Sequence, residues 1–127
     1  MIYGIGTDLV EIARIEKALE RFGERFAMRI LCEPELKRFK VHRKPAAYLA
    51  KRFAAKEAFT KALGTGIHAP ANWHGVWVMN LRSGKPQLEF SPALSALLKE
   101  RQIIHSHLSI TDERGMAAAT VILESKA

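Results

Sequence analysis

The sequence predicts an α+β fold in which helices, including one long central helix, pack on a mostly antiparallel sheet. Three observations carry that prediction. Apolar residues recur at helical spacing through the first half of the chain, whereas the second half breaks into short β-branched and aromatic runs divided by turn residues. The segment 46–63 is apolar around most of its circumference, as a helix buried on several sides must be. Ser83-Gly84-Lys85-Pro86 and Asp112-Glu113-Arg114-Gly115 have hairpin-turn composition, which makes the runs they join antiparallel. Helices first and strands later, with an N-terminal strand returning to the same sheet, argue for α+β architecture.

Taken in order, residues 2–7 are β-branched, aromatic or glycine and read as a short strand that stops at Asp8. From Leu9 the spacing turns helical. Ile12, Ile15, Leu19, Phe22 and Phe26 fall within one arc at about 100° per residue. Arg14, Arg21 and Arg25 fall away from that arc, with Arg29 nearer its edge. Gly23 bends or breaks this helix. Glu33-Pro34-Glu35 marks the next helix start, with proline in the first turn and carboxylates at the positive end of the dipole. That short helix carries Leu36 and Phe39 and gives way to a basic stretch at 40–44. Pro45 opens the long helix over 46–63, rich in alanine and ended by Gly64. Beyond Gly66, residues 73–81, 87–90, 106–111 and 116–123 read as strands, with a short helix over 92–100.

The 127 residues form one domain spanning 1–127, and a hydrophobic content of 48% excludes disorder as the default. A single cysteine, Cys32, forms no internal disulfide and points to a reducing compartment. No signal-peptide pattern opens the chain and no apolar run reaches membrane-spanning length, so the expected location is cytoplasmic. The net charge of +7 suits an anionic partner: nucleic acid, acidic lipid, an acidic protein or a phosphorylated small molecule. Composition does not choose among them.

Two acidic residues far apart in the chain stand out as halves of one candidate metal site. Asp8 closes the first strand. Glu57 lies in R-F-A-A-K-E-A-F-T-K-A-L-G-T-G (52–66), with Lys61 one helical turn on and the Gly64-Thr65-Gly66 turn after it. Magnesium keeps most of its waters and is held by one or two carboxylates plus substrate phosphates, so two carboxylates, an ammonium and a glycine turn suit magnesium and a pyrophosphate. Each part also has a simpler reading. Asp8 at a strand-to-helix junction suits a helix cap. Glu57 and Lys61 suit a solvent-facing i,i+4 pair, and the glycine turn suits a plain C-cap. Against the surface-pair reading, alanines and Phe53 flank the two charges on a helix expected to be buried, and buried charges need a partner or a metal.

Other chemistry is thinner. No Walker spacing occurs, and no G-x-G-x-x-G follows a strand as a dinucleotide fold requires. His105 and His107 alternate along one strand face, without a Cys or third His at a spacing that completes a zinc site. His107, Ser109 and Thr111 form a polar row opposite Leu108 and Ile110, either a phosphate-binding row or an ordinary half-exposed strand. Cys32 reads as a small core residue. The arginine stripe reads as a solvated face or as a dock for an acidic helix or a phosphate backbone.

Together, G-I-G-T-D-L-V-E-I-A-R (4–14), the 52–66 block, G-K-P (84–86) and H-L-S-I-T (107–111) resemble the holo-[acyl-carrier-protein] synthase family, the small 4′-phosphopantetheinyl transferases. The motifs stand in family order and cover the chain nearly end to end. The resemblance implies transfer of phosphopantetheine from coenzyme A to a serine of an apo acyl carrier protein, releasing adenosine 3′,5′-bisphosphate. It implies Mg2+ held at the positions of Asp8 and Glu57 and completed by the coenzyme A pyrophosphate, with Lys61 on the attacked phosphate. Arg52, Gly64, Thr65, Gly66, Pro86, His107 and Ser109 fall where the family contacts coenzyme A. The general base is Glu57 or a metal-bound water. Members of this length are typically homotrimers with active sites between subunits. The acidic carrier gives the arginines a purpose: Arg14, Arg25 and Arg29 fit the family's basic helix. Arg21 shares the stripe but lies in 18–24, which departs from the family pattern, as does 68–75.

Two rivals make different predictions. A basic nucleic-acid-binding module without catalysis predicts aromatics interleaved with basic residues on an exposed sheet. Here Phe53 and Phe59 belong to a helix, and Trp73 and Trp77 lie where positive charge is scarce. A non-catalytic carrier-protein binder would have no use for Asp8, Glu57 and Lys61.

Overall fold

Strand β1 (Ile2–Glu11) opens the computed structural model, which describes residues 1–127, and α1 (Ile12–Phe22), α2 (Glu24–Ile30), α3 (Glu33–Val41) and α4 (Pro45–Leu63) follow it. Strands β2 (Val76–Asn80) and β3 (Pro86–Phe90), helix α5 (Pro92–Glu100), and strands β4 (Ile103–Glu113) and β5 (Met116–Ser125) complete the chain. The α+β class and the antiparallel pairing hold. The strands form two sheets, a three-stranded one in the order β1-β5-β4 and a two-stranded β2-β3 hairpin.

Helix α4 lies against the inner face of the three-stranded sheet, and its side chains from Tyr48 to Leu63 are largely buried. Leu49, Ala54, Ala55, Ala58 and Phe59 meet Ala117, Ala119, Val121 and Leu123 of β5 in one hydrophobic cluster. Pro45 stands at the start of α4, and Gly64 ends it at φ 89°, a left-handed turn that favours glycine. Small residues let strand and helix approach closely. A Cβ on Gly4 would strike the carbonyl oxygen of Ala62, and one on Gly6 that of Ala58.

Strand β1 is longer than the sequence predicts. It continues past Asp8, pairing Asp8 with Ala119, Leu9 with Ala118, Val10 with Ala117 and Glu11 with Met116, and α1 begins only at Ile12. Asp8 is therefore not a helix cap. Leu9 and Val10 suit either periodicity, and the ladder with β5 decides. Gly23 does break the first helical region, at φ 67°. Ile15 and Ala27 point inward, whereas Phe22 is exposed because it falls at the break. The run at 73–81 is a strand only over Val76–Asn80, and β4 and β5 extend beyond the expected 106–111 and 116–123. No helix is long and apolar enough to cross a membrane.

Candidate functional site

Asp8, Glu57 and Lys61 come together where β1 crosses the last turns of α4. Asp8 shares the inner sheet face with Gly4, Gly6 and Val10, because side chains alternate along a strand. Its carboxylate is 15% exposed and lies 3.1 Å from Lys61 Nζ. Lys61 also donates to the carbonyl of Thr7 at 3.0 Å, while about half of its side chain (52%) stays open to solvent. Lys61 thus pairs with Asp8 across the fold, not with Glu57 along its own helix, and the i,i+4 reading falls. Glu57 is half-buried, less enclosed than an all-round buried helix suggests, because the site opens at this edge.

Electrostatics bind the three together. Burial pushes the Glu57 carboxyl above the usual glutamate range, the neighbouring Asp8 charge pushes it further, and Lys61 offsets part of the rise. Two neighbouring carboxylates, hard oxygen donors at a half-open edge, fit a small divalent cation such as magnesium. No cluster of three or more His, Cys, Asp or Glu side chains gathers in the chain, so the protein alone builds no closed metal cage.

The remaining candidate residues lie in three other places. Arg52 is about half a turn around α4 from Lys61 at 100° per residue. Its guanidinium is buried over the Tyr48 ring, 4.2 Å from the centroid, and its Nη2 donates to Asn80 Oδ1 at 2.9 Å. Asn80 pairs with Pro86 across the β2-β3 hairpin, which puts Pro86 at the same corner. Here Arg38, Arg43, Lys51, Arg52 and Arg82 line an open cleft of ≈ 730 Å³ with no acidic residue in its lining. Arg52 Nε has no hydrogen-bond partner there. The sequence gives no sign of this convergence, since its members come from α3, the segment after it, α4 and the hairpin. Gly64, Thr65 and Gly66 continue from the C-terminal end of α4, just past Lys61.

His107 and Ser109 face the other way. Their register with Ile122 and Thr120 puts them, with Thr111, on the sheet face turned from α4. His107 Nε2 lies 2.5 Å from Glu124 Oε1, and that hydrogen bond holds the Glu124 carboxyl below its usual range. Glu124 is a partner the strand pattern alone does not reveal. The same face carries Ile5 and Leu9, 58% and 65% exposed, beside Ile122. Arg21, Arg25 and Arg29 line one groove with Phe22 and Phe26, while Arg14 stands outside it on α1. Cys32 is half-buried, not a core residue. Burial pushes its thiol up to about 11, so it is no nucleophile.

The frame and the convergent corner define a class: the chain belongs to the 4′-phosphopantetheinyl transferase superfamily, whose family model matches residues 4–121. Within it, the similarity runs to the holo-[acyl-carrier-protein] synthases. The chain is 52% identical to the Nitrosomonas europaea holo-[acyl-carrier-protein] synthase, over 98% of this chain and 99% of that one. The crystal structure of holo-[acyl-carrier-protein] synthase from Neisseria meningitidis superposes with a TM-score of 0.95 at 46% identity, covering 98% of this chain and 100% of that one. The Bacillus anthracis holo-(acyl-carrier-protein) synthase, solved in complex with CoA (3′,5′-ADP), gives 0.84 at 40% identity, with 99% of each chain covered. A nucleic-acid-binding module finds no support in these relatives.

Proposed function

We propose that the chain transfers the 4′-phosphopantetheine group of coenzyme A to a serine hydroxyl of an apo acyl carrier protein, releasing adenosine 3′,5′-bisphosphate. The convergence of Asp8, Glu57 and Lys61, in a chain about half identical to holo-[acyl-carrier-protein] synthases, carries this reading. Asp8 and Glu57 would hold Mg2+ together with the pyrophosphate of coenzyme A. Magnesium bound there supplies neutralisation of the pyrophosphate oxygens.

The side chains divide the rest of the work. Lys61, anchored at its Nζ by Asp8 and the Thr7 carbonyl yet open to solvent, donates to a non-bridging oxygen of the attacked phosphate and stabilises the charge gathering there. Glu57, half-buried beside Asp8 and Lys61, takes the serine proton directly or through one water. The new P–O bond to serine forms as the P–O bond to the adenosine bisphosphate oxygen breaks. The Arg52 cleft and Pro86 receive phosphate and adenosine groups, which the uncompensated positive lining supports. Gly64 and Thr65 give their backbone N–H groups to the Thr60 carbonyl and shape the turn, which leaves the Gly66 N–H to meet a phosphate beside Lys61.

His107 and Ser109 contact coenzyme A held mainly by a neighbouring subunit, since they stand on the face turned from Glu57 of their own chain. The exposed Ile5 and Leu9 on that face, beside the half-buried Ile122, support a homotrimer with interfacial sites. Arg14, Arg21, Arg25 and Arg29 dock the acidic carrier. The setting is cytoplasmic, and one transferase domain spans 1–127.

The test is direct. Coenzyme A, magnesium and an apo acyl carrier protein are incubated with the chain, and the carrier is weighed by mass spectrometry. A carrier that gains no phosphopantetheine removes the reading. Charge reversal at Arg25 raises KM for the carrier about tenfold, equivalent to about 1.4 kcal/mol, with little change in KM for coenzyme A. Equal effects on both would count against the docking face.

A further inference from the structure

Lys56, the residue before Glu57, is fully buried at 0% exposure, and its partner Glu35 is 1% exposed. The Lys56 ammonium donates to Glu35 Oε1 at 2.7 Å, to the carbonyl of Ile30 at 2.6 Å and to the carbonyl of Trp73 at 2.9 Å. An ammonium has three protons, and all three are used. The acceptors belong to three separate segments: the first turn of α3, the last residue of α2, and the loop after α4. Glu35 extends the tie, accepting from the Cys32 and Val78 backbone N–H groups, each at 2.8 Å. His74, in the same loop as Trp73, reaches the Met28 carbonyl of α2 at 2.8 Å.

Stability alone does not call for charges here, because a well-packed apolar pair of similar volume serves a core as well or better. A buried ammonium with three fixed acceptors does supply direction. Lys56 and Glu57 are adjacent on α4, so a roll or slide of α4 that breaks the Lys56 bonds also moves Glu57 relative to Asp8 on β1. Helix α2, pinned at its last carbonyl, carries Arg25 and Arg29. We infer that Lys56 and Glu35 are positioning residues: a buried strut that locks the carrier-docking helix α2 to the catalytic turn of α4 and sets Glu57 against Asp8. This rests on the transferase activity proposed above.

The test separates position from stability. Lys56→Met alone strands the Glu35 carboxylate and lowers the thermal midpoint. The double variant Lys56→Met with Glu35→Gln removes both charges. The double variant is expected to fold cooperatively, with a midpoint below the wild type because the Ile30 and Trp73 carbonyls lose their donor. Its Mg2+ affinity, measured by calorimetry, and its kcat per folded enzyme each fall at least about tenfold, because a small misplacement of Glu57 relative to Asp8 suffices for that loss. A folded double variant with wild-type Mg2+ affinity and kcat would overturn the inference. So would a double variant that fails to fold, because the pair's role would then be stability. If the wild type itself transfers nothing to the carrier, both the activity and the strut fall. If the wild type is active and the double variant matches it, only the strut falls.

Discussion

At Glu57, burial and the Asp8 charge both disfavour ionisation, while Lys61, held by Asp8 and Thr7, offsets only part of the effect. Asp8→Asn removes the repulsion and frees Lys61, so Glu57 should titrate at lower pH in the metal-free variant than in the metal-free wild type. Carbon NMR of the Glu57 carboxyl reads this, and an unmoved midpoint would leave burial as the whole cause. The sign for stability follows. A raised folded-state pKa means the folded chain binds more protons than the unfolded one between the ordinary glutamate value and the raised value. Glu57's contribution therefore falls as pH rises through that window, and the full penalty remains above it. Mg2+ on the two carboxylates should relieve it. At ten times Kd the wild type gains about 1.4 kcal/mol by mass action, read as a rise in thermal midpoint at neutral pH. Glu57→Gln and Asp8→Asn should gain far less. Glu57→Gln should also lose roughly 10² or more in kcat while remaining folded; near-wild-type turnover would remove Glu57 from the chemistry.

The corner depends on β1 lying close against α4, and Gly4 and Gly6 permit that contact. Gly6→Ala drives a Cβ into the Ala58 carbonyl, which is helix backbone and cannot swing aside. The strand must lift, at a cost of about 1–3 kcal/mol for overpacking, and Asp8, two residues on, lifts with it. Denaturant unfolding should register the loss, and kcat should fall beyond what the unfolded fraction explains; full activity in the folded fraction would break the link. Much at this scale was legible in the sequence. Pro45, Gly64 and the alanine-rich run between them announce α4, and Gly23 announces the break between α1 and α2, because these are local rules. The end of β1 was not legible, since Leu9 and Val10 suit strand and helix alike until β5 pairs with them. Nor was the partner of Lys61: spacing points to Glu57 four residues back, and only the fold brings Asp8 to its Nζ. The arginine cleft was hidden for the same reason, its members being neighbours only in space.

In the whole molecule, the candidate residues divide between opposite sides of one sheet. Asp8, Glu57 and Lys61 stand on the α4 side, and His107 and Ser109 on the open side with Ile5 and Leu9. Motif order along the sequence gives no sign of this, because strand alternation, not distance along the chain, decides which face a residue takes. The proposed cyclic trimer would resolve the split by letting each subunit lend its open face to the next one's catalytic corner, and cyclic symmetry would make all three sites alike. The consequence is complementation between two defective chains. Glu57→Gln leaves the coenzyme A contacts of the open face intact, whereas His107→Ala with Ser109→Ala leaves the catalytic corner intact. Refolded together in equal amounts, the two assort at random. About one interface in four then joins an intact Glu57 to an intact His107 on the neighbour, so activity should return to about a quarter of the wild-type level. The carrier mass assay measures it, with each variant refolded alone as the baseline. A mixture no more active than the sum of its parts would place the whole site within one chain and leave the exposed Ile5 and Leu9 face unexplained.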